Sequence, residues 1–244
     1  MDQGPAPDPA MWSVRSRGPA HVVAHRCLEL QRAARPRGFA ARLFGLDPLH
    51  PDAVAAYRGA LRELRVGGIL AQLGPGWRVL HALPQDEPGR EIDHLVIGPA
   101  GVFTVTSAPA AATAEARAAS RLLTRASGSP VVAQPIVAVL DARGGAVPSS
   151  ETVVVGAHRL VRHLRSLPTR LAPDLVATVA RAAEELTTWR PFDAAVMQHT
   201  DPAGAFAALR DEVDRARERR TIWRIALVAA VALTVFGEAS LLFS

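Results

Sequence analysis

The sequence contains no lysine, so arginine supplies all 28 of its basic residues. This absence excludes reactions that need a lysine amine, such as Schiff-base chemistry or phosphate binding by a P-loop lysine. A single cysteine, Cys27, cannot form an intramolecular disulfide, which is typical of a reducing compartment. One cysteine also excludes the usual cysteine-based zinc sites. His21 and His25 have helical spacing, but Val22 stands where a zinc-protease motif needs glutamate.

Composition indicates a globular chain with a basic leader. Hydrophobic residues make up 49% of the 244 residues and charged residues 21%, which fits one good-sized domain with attachments. Residues 1–50 are rich in proline and contain seven arginines. We interpret them as a mostly flexible arm with a short helix from about His21 to Ala34. The arm has the charge to meet anionic lipid or nucleic acid, and a purely solubilising role is an equal alternative.

The C-terminal segment is apolar on every helical face. Nineteen residues that start at Ile225 contain one charge, Glu238. A helix over residues 222–243 would be about 33 Å long, enough for a hydrocarbon core of about 30 Å. Arginines and Trp223 precede it, so the pattern predicts a single-pass transmembrane helix with residues 1–221 in the cytoplasm. The alternative is a buried core helix or an oligomerisation helix.

Residues 51–200 show the periodicities of an α/β domain. The pattern predicts helices at 52–73, 110–126, 158–166 and 173–189, and strands at 77–83, 91–97, 102–106, 131–140 and 152–155. The first six elements have the order α-β-β-β-α-β, which indicates one layer of helices against a mixed sheet. A last helix over 202–220 places Phe206, Leu209 and Val213 on one stripe, and we interpret residues 201–221 as a charged stalk.

One stretch is specific enough to identify a family. It comprises Gly89 and Ile92-Asp93-His94-Leu95-Val96-Ile97-Gly98-Pro99-Ala100-Gly101-Val102-Phe103, preceded by Tyr57-Arg58-Gly59-Ala60, Glu63, Val66-Gly67, Leu70, Trp77 and Val79-Leu80-His81. With these residues the chain resembles the nuclease-related domain (NERD) family, in versions found in actinobacteria. The resemblance covers roughly Tyr57 to Trp189 and is weaker beyond about Thr106.

The resemblance implies a fold related to restriction endonucleases of the PD-(D/E)xK class. In that class a helix glutamate, a strand aspartate and a Glu-x-Lys on the next strand surround divalent ions, which stabilise charge on the scissile phosphate. Glu63 matches the helix glutamate and Asp93 the strand aspartate, so these two are the candidate metal ligands. The third strand departs from the pattern, because Thr106 replaces the glutamate and Ala108 the lysine.

This departure predicts a degenerate catalytic site, because a hydroxyl is a weak Mg²⁺ ligand and alanine is none. Glu91 and Glu115 are the carboxylates available to replace the lost glutamate. Arg117 or Arg121 has the charge to hold a phosphate, but arginine is a reluctant base.

Structural roles are the simpler interpretation of the two remaining motif residues, and we favour them over a working metal site. Glu63 is then a solvated helix carboxylate. Asp93 is then kept for a turn or a hydrogen bond.

Three functions fit these observations. The one we favour is a membrane-anchored, catalytically degenerate binding or scaffold module, with nucleic acid as a candidate ligand and without a cofactor. The second is an active Mg²⁺-dependent DNA or RNA nuclease with a rearranged site. The third is a membrane-associated protein-interaction module whose arginine-rich segments bind protein or anionic lipid. Loss of the motif residues separates the first from the second, whereas the sequence does not separate the first from the third.

Overall fold

The computed structural model describes residues 14–85, 90–140, 147–148, 151–189 and 202–242. Within it the chain forms two compact units. The sheet unit comprises Met1–Val23 and Arg58–His199, and the helical unit comprises Ala24–Tyr57 and Thr200–Ser244.

The described residues form the following elements. The helices are α1 (His21–Ala33), α2 (Phe39–Phe44), α3 (Pro51–Leu70), α4 (Ala112–Ser127), α5 (Leu160–Ser166), α6 (Pro173–Glu184) and α7 (Pro202–Leu242). The strands are β1 (Arg78–Pro84), β2 (Glu91–Gly98), β3 (Gly101–Thr106), β4 (Ala133–Val139), β5 (Val147–Pro148) and β6 (Val153–Gly156). The predicted order α-β-β-β-α-β is thus present from α3 to β4.

The strands form one mixed sheet in the order β1-β2-β3-β4-β6-β5. β1, β2 and β3 are antiparallel neighbours joined by short connections. β4 lies parallel to both β3 and β6, and α4 forms the crossover between β3 and β4. The register pairs His94 with Val105 and Leu95 with Thr104, so the start of β2 lies beside the end of β3.

Helices cover both faces of this sheet. Neighbouring residues of a strand point to opposite faces, and Ile97 belongs to one hydrophobic core whereas Val96 belongs to the other. The first core includes Leu123 of α4 and Val179 of α6, and the second includes Leu70 of α3 and Leu160 of α5. The prediction of a single helix layer is therefore wrong. A continuous apolar run, such as Leu95-Val96-Ile97 in β2, is typical of a strand that is buried on both faces and favours two layers.

The described part of the predicted leader contains two helices, which differs from the flexible arm that its composition indicates. α1 buries Ala24, Cys27 and Leu28. The Cys27 thiol lies 3.8 Å from the carbonyl oxygen of Ala53, and burial raises the pKa of Cys27 to about 11. This environment fits an unreactive thiol. Residues 1–13 lie outside the described residues.

In the helical unit, the apolar stripe predicted for the last helix is present. Phe206, Leu209 and Val213 of α7 are buried, and the ring centroid of Phe206 lies 5.4 Å from that of Tyr57. The predicted stalk is thus the first half of a longer continuous helix. The face that carries Phe206, Leu209 and Val213 is buried within the helical unit instead of being exposed to solvent.

The predicted transmembrane helix is contradicted. Among the described residues, the structure contains no helix that is long and apolar enough to cross a membrane. Acidic and arginine residues occupy α7 before Ile225. The side chains of the predicted span beyond residue 232 lie outside the described residues. The single-pass localisation rested on this helix and loses its support.

The turn between β2 and β3 depends on close packing at Gly98. A Cβ atom added to Gly98 would overlap the indole ring of Trp77. Gly101, at the start of β3, has a φ of 139°, which favours glycine. The Gly-Pro-Ala-Gly connection therefore combines a close approach of an aromatic ring with a backbone conformation that a side chain would strain.

We expect Gly98→Ala to lower the free energy of unfolding by about 1–3 kcal/mol, because the ring must move to admit the new methyl group. Gly68→Ala is the matched control, since Gly68 lies in α3 with open space around its Cα. Alanine is the better helix former, so this control should stabilise the protein by up to about 1 kcal/mol. Urea unfolding measures both. Equal midpoints for Gly98→Ala and the wild type would show that Trp77 does not pack there.

Candidate functional site

Four acidic side chains from three elements lie together in the sheet unit. α3 carries Glu63, β2 carries Glu91 and Asp93, and the first turn of α4 carries Glu115. Their charges act on one another: Asp93, Glu91 and Glu115 each raise the pKa of Glu63. We call these four residues the carboxylate cluster. The structure therefore brings together both predicted metal ligands and both carboxylates that were candidates to replace the missing glutamate.

Glu63 occupies the buried face of α3. Ala60, Glu63, Val66 and Leu70 recur at helical spacing and are all buried, with Glu63 8% exposed. The interpretation of Glu63 as a solvated carboxylate is therefore wrong. Its spacing from Ala60 and Val66 is the sequence signal that places it inside.

Hydrogen bonds link the end of β3 to the cluster. The Thr106 hydroxyl donates to Oδ2 of Asp93 at 2.5 Å, and the Ala108 amide donates to the Thr106 hydroxyl oxygen at 3.1 Å. The Asp93 amide donates to Oε2 of Glu115 at 3.2 Å. Asp93 is thus hydrogen-bonded to Thr106 through its carboxyl group and to Glu115 through its backbone amide. A hydrogen-bonding role for Asp93, which the sequence offered as an alternative, agrees with these contacts.

Burial and mutual repulsion keep protons on the cluster. Burial, followed by the charge of Asp93, raises the pKa of Glu63 and of Glu115 to about 9. The same two causes raise the pKa of Glu91 to about 7. Burial also raises the pKa of Asp93, although the hydrogen bond from Thr106 opposes this shift. At neutral pH the cluster therefore carries well under four negative charges.

Two oxygens of the cluster have no hydrogen-bond partner within the described residues, Oε2 of Glu63 and Oε2 of Glu91. Protonation lowers the cost of burying such atoms, because a neutral carboxyl group is much less strongly hydrated than a carboxylate.

One cation near the cluster was not expected from the sequence. Arg17 is buried, donates to the carbonyl oxygen of Ala82 and lies close enough to Glu91 for their charges to interact. Burial lowers the pKa of Arg17 to about 10, so it stays charged at neutral pH. Ala82 has a φ of 51°, a strained value for a residue with a side chain. Arg17 lies in the predicted leader, where no local pattern marks it for burial.

A second buried titratable pair lies on the neighbouring strands. His81 and His94 face each other across β1 and β2, with their Nδ1 atoms 2.8 Å apart and their rings at 89°. Burial lowers the pKa of His81 to about 4 and that of His94 to about 3, so both imidazoles are neutral at pH 7. Sequence reasoning missed this pair, because only the register of the hairpin brings the two rings together.

The predicted phosphate-holding arginines are engaged elsewhere. Arg117 lies 3.5 Å from Glu151, and both it and Arg121 line an open groove beside β4. Neither is among the charges that shift the pKa of a cluster member, whereas Arg62 lowers the pKa of both Glu63 and Asp93. Arg62 is therefore the arginine that the structure places near the cluster from the helix side.

The donor chemistry of the cluster suits Mg²⁺, which prefers hard oxygen ligands, but the arrangement does not. In the described part of the chain, no three His, Cys, Asp or Glu side chains converge closely enough to hold a metal ion. Oδ2 of Asp93 already accepts a hydrogen bond from the Thr106 hydroxyl. As the side chains stand, the cluster does not fit the divalent ion that the restriction-endonuclease resemblance implies.

Comparison with known families identifies one match. Residues 58–108 match the model of the nuclease-related domain. The match extends from α3 through β1, β2 and β3, covers about a fifth of the chain, and ends at Ala108. It confirms the resemblance found in the sequence over this segment. Comparisons with curated proteins and with solved structures give no match.

We expect stability to fall as pH rises from 7 to 8.5, and Glu115→Gln to reduce this loss. The folded-state pKa of Glu115 is raised from 4.5 to about 9. Its contribution is therefore complete below pH 4.5 and is lost progressively towards pH 9. The histidine pair interferes little, since both imidazoles are neutral in the folded chain and largely neutral in the unfolded chain above pH 7.

Urea unfolding at the two pH values measures the effect. Glu115→Gln should gain about 2 kcal/mol over the wild type between pH 7 and 8.5, because in this window each pH unit corresponds to about 1.4 kcal/mol for one proton. Glu185→Gln is the control, as Glu185 is exposed and should leave the pH profile unchanged. A wild-type profile that is flat over this range would show that the cluster is not protonated in the folded state.

Proposed function

We propose that this chain, whose residues 58–108 match the nuclease-related domain, binds nucleic acid without cleaving it. On this proposal the carboxylate cluster is a catalytically degenerate site, and the domain acts as a binding module. Such a module needs no cofactor for its function.

One observation carries the proposal: the Thr106 hydroxyl occupies Oδ2 of Asp93 at 2.5 Å. On the restriction-endonuclease model, a third-strand carboxylate stands at Thr106 and shares a cation with the aspartate. Here the Thr106 hydroxyl donates a hydrogen bond to Asp93 instead. The contact that a cation would make is thereby replaced by an internal hydrogen bond, which also explains why Thr106 is fully buried.

Hydrolysis of a phosphodiester would also need an activated water and stabilisation of the developing negative charge. Ala108 supplies neither at the position of the motif lysine, and the chain contains no lysine to take its place. Glu63 and Glu115 hold protons at neutral pH, so neither is available as a general base there. On this proposal, Glu63 and Glu115 therefore do not activate a water molecule at neutral pH.

Charge supports nucleic acid as the ligand. The chain has a formal net charge of +5, and every cation in it is an arginine, whose planar guanidinium matches phosphate geometry. A site with four ionised carboxylates and no cation would repel a phosphodiester. Protonation removes most of that repulsion, so a phosphate can approach the Arg62 side of the cluster.

We expect the full-length protein to show no cleavage of plasmid, linear DNA or RNA with Mg²⁺ or Mn²⁺ above background. The reason is the absence of the third-strand carboxylate and of the motif lysine. Asp93→Ala and Glu63→Ala serve as controls. Cleavage by the wild type that disappears in both variants would establish the alternative, a metal-dependent nuclease with a rearranged site.

We also expect millimolar Mg²⁺ or Mn²⁺ to leave the melting temperature of the wild type unchanged. Binding of an ion to the folded state alone would raise it by mass action. Asp93→Asn should leave stability unchanged or raise it by up to about 1 kcal/mol, because it removes one repelling charge. A wild-type melting temperature that rises with metal, and does so no longer in Asp93→Asn, would contradict the degenerate site.

Binding assays distinguish a nucleic-acid ligand from a protein partner. A protein-interaction module would bind neither DNA nor RNA at about 50 mM salt, where contacts to phosphate are strong. Failure to bind any nucleic acid under that condition would therefore favour the protein-interaction alternative and overturn this proposal.

A further inference from the structure

Three arginines form a line along the exposed side of α3. Arg58, Arg62 and Arg65 are spaced four and three residues apart, so they lie above one another on one face of the helix. All three are exposed. We call them the arginine stripe. Because Glu63 directly follows Arg62 in α3, the exposed stripe lies next to the buried helix face that carries Glu63 of the carboxylate cluster.

The stripe lacks the partners that usually neutralise surface arginines. Positions three and four residues away from each member hold Ala55, Val54, Leu61, Gly59, Val66, Gly68 and Ile69, or another member of the stripe. Across the described ranges, the ion pairs of the protein involve other residues. The three guanidinium groups therefore have free donors.

Within the stripe the charges repel. Arg58 and Arg62 are an i,i+4 pair and Arg62 and Arg65 an i,i+3 pair, and like charges at these spacings destabilise a helix. An arrangement that costs stability in the free protein is relieved when an anion binds across it. The stripe is therefore better suited to a multivalent anion than to water alone.

The dimensions of the stripe suit a sugar-phosphate backbone. Seven residues of helix separate its ends, which corresponds to about 10 Å. Phosphates of one duplex strand follow one another at about 3.4 Å along the axis, so the stripe spans about three of them. Between Arg58 and Leu70, the part of α3 that belongs to the sheet unit, no large apolar side chain is exposed. A lipid surface would be expected to engage such side chains.

We infer that the arginine stripe of α3 is the surface that holds the phosphodiester backbone of a nucleic acid, alongside the carboxylate cluster. This inference rests on the proposed binding function and adds its location. Arg58, Arg62 and Arg65 contact phosphate oxygens, which positions a strand without reading its sequence.

Salt-dependent binding tests the stripe. Fluorescence anisotropy of the full-length protein with a short labelled DNA duplex, a single strand and an RNA of the same sequence gives the slope of log K against log salt. Each phosphate contact contributes about 0.9 to this slope for a duplex, so Arg58→Gln/Arg62→Gln/Arg65→Gln should reduce it by about 2.7. Affinity at about 50 mM salt should fall on the order of tenfold or more.

Two further variants control for net charge and for folding. Arg125→Gln/Arg170→Gln/Arg181→Gln removes the same charge from exposed positions on other elements and should change the slope by less than about 1. Arg58→Lys/Arg62→Lys/Arg65→Lys keeps the charge and should retain most of the wild-type slope. Thermal melting of all variants verifies the fold, and the glutamine stripe variant should melt at or above the wild-type temperature because its repulsion is gone.

The outcomes separate this inference from the proposed function. If the wild type binds no nucleic acid, both fail. If the wild type binds and the stripe variant keeps the same slope and affinity as the control variant, only the stripe inference is wrong. If the stripe variant instead loses binding to vesicles with anionic lipid while its nucleic-acid affinity is unchanged, the surface is a lipid-binding one and the inference is likewise overturned.

Discussion

Four carboxyl groups, two buried and two half-buried, lie together in the sheet unit. The surrounding residues lower the electrostatic free energy of placing them there. Ionised carboxylates at such close range repel one another, and burial removes the water that would screen them. The structure reduces this cost in three ways. Protons remain on Glu63 and Glu115, the Thr106 hydroxyl donates to Asp93, and the Asp93 amide donates to Glu115. The buried Arg17 adds a positive charge beside Glu91.

The sheet makes this arrangement possible. Antiparallel pairing brings the start of β2 beside the end of β3, and the connection to α4 then returns the first turn of that helix to the same place. α3 contributes Glu63 because the buried stripe of that helix faces the sheet core. These three elements therefore place the four carboxyl groups in one region, with Thr106 at the end of β3 beside Asp93.

These features connect the chemistry of the cluster with the proposed binding function. A site that keeps its carboxyl groups protonated does not need a cation, and it no longer repels phosphate as strongly as a fully ionised site. Arginines on the exposed side of α3 are then free to dominate the local potential. The proposal of binding without hydrolysis is supported by the hydrogen bond between Thr106 and Asp93 and by the presence of alanine at position 108.

Much of the sheet unit could be predicted from the sequence, because its signals are local. The periodicity of Ala60, Val66 and Leu70, the hairpin of β2 and β3, and the specific string around Asp93 depend on residues close together in the chain. They were sufficient for the element order from α3 to β4 and for the family resemblance that the match over residues 58–108 confirms. The presence of threonine at position 106 and alanine at position 108 could also be read directly, since it is a matter of residue identity.

The tertiary structure alone decided what depends on contacts between distant segments. Glu63 and Glu115 are 52 positions apart, and only packing of α3 and α4 around the same strands shows that both are buried beside Asp93. Arg17 reaches the cluster from a segment whose composition indicates a flexible arm, and His81 meets His94 only through strand register. A local pattern records whether a residue prefers water or an apolar environment, whereas burial, proton affinity and pairing depend on which other segments occupy that environment.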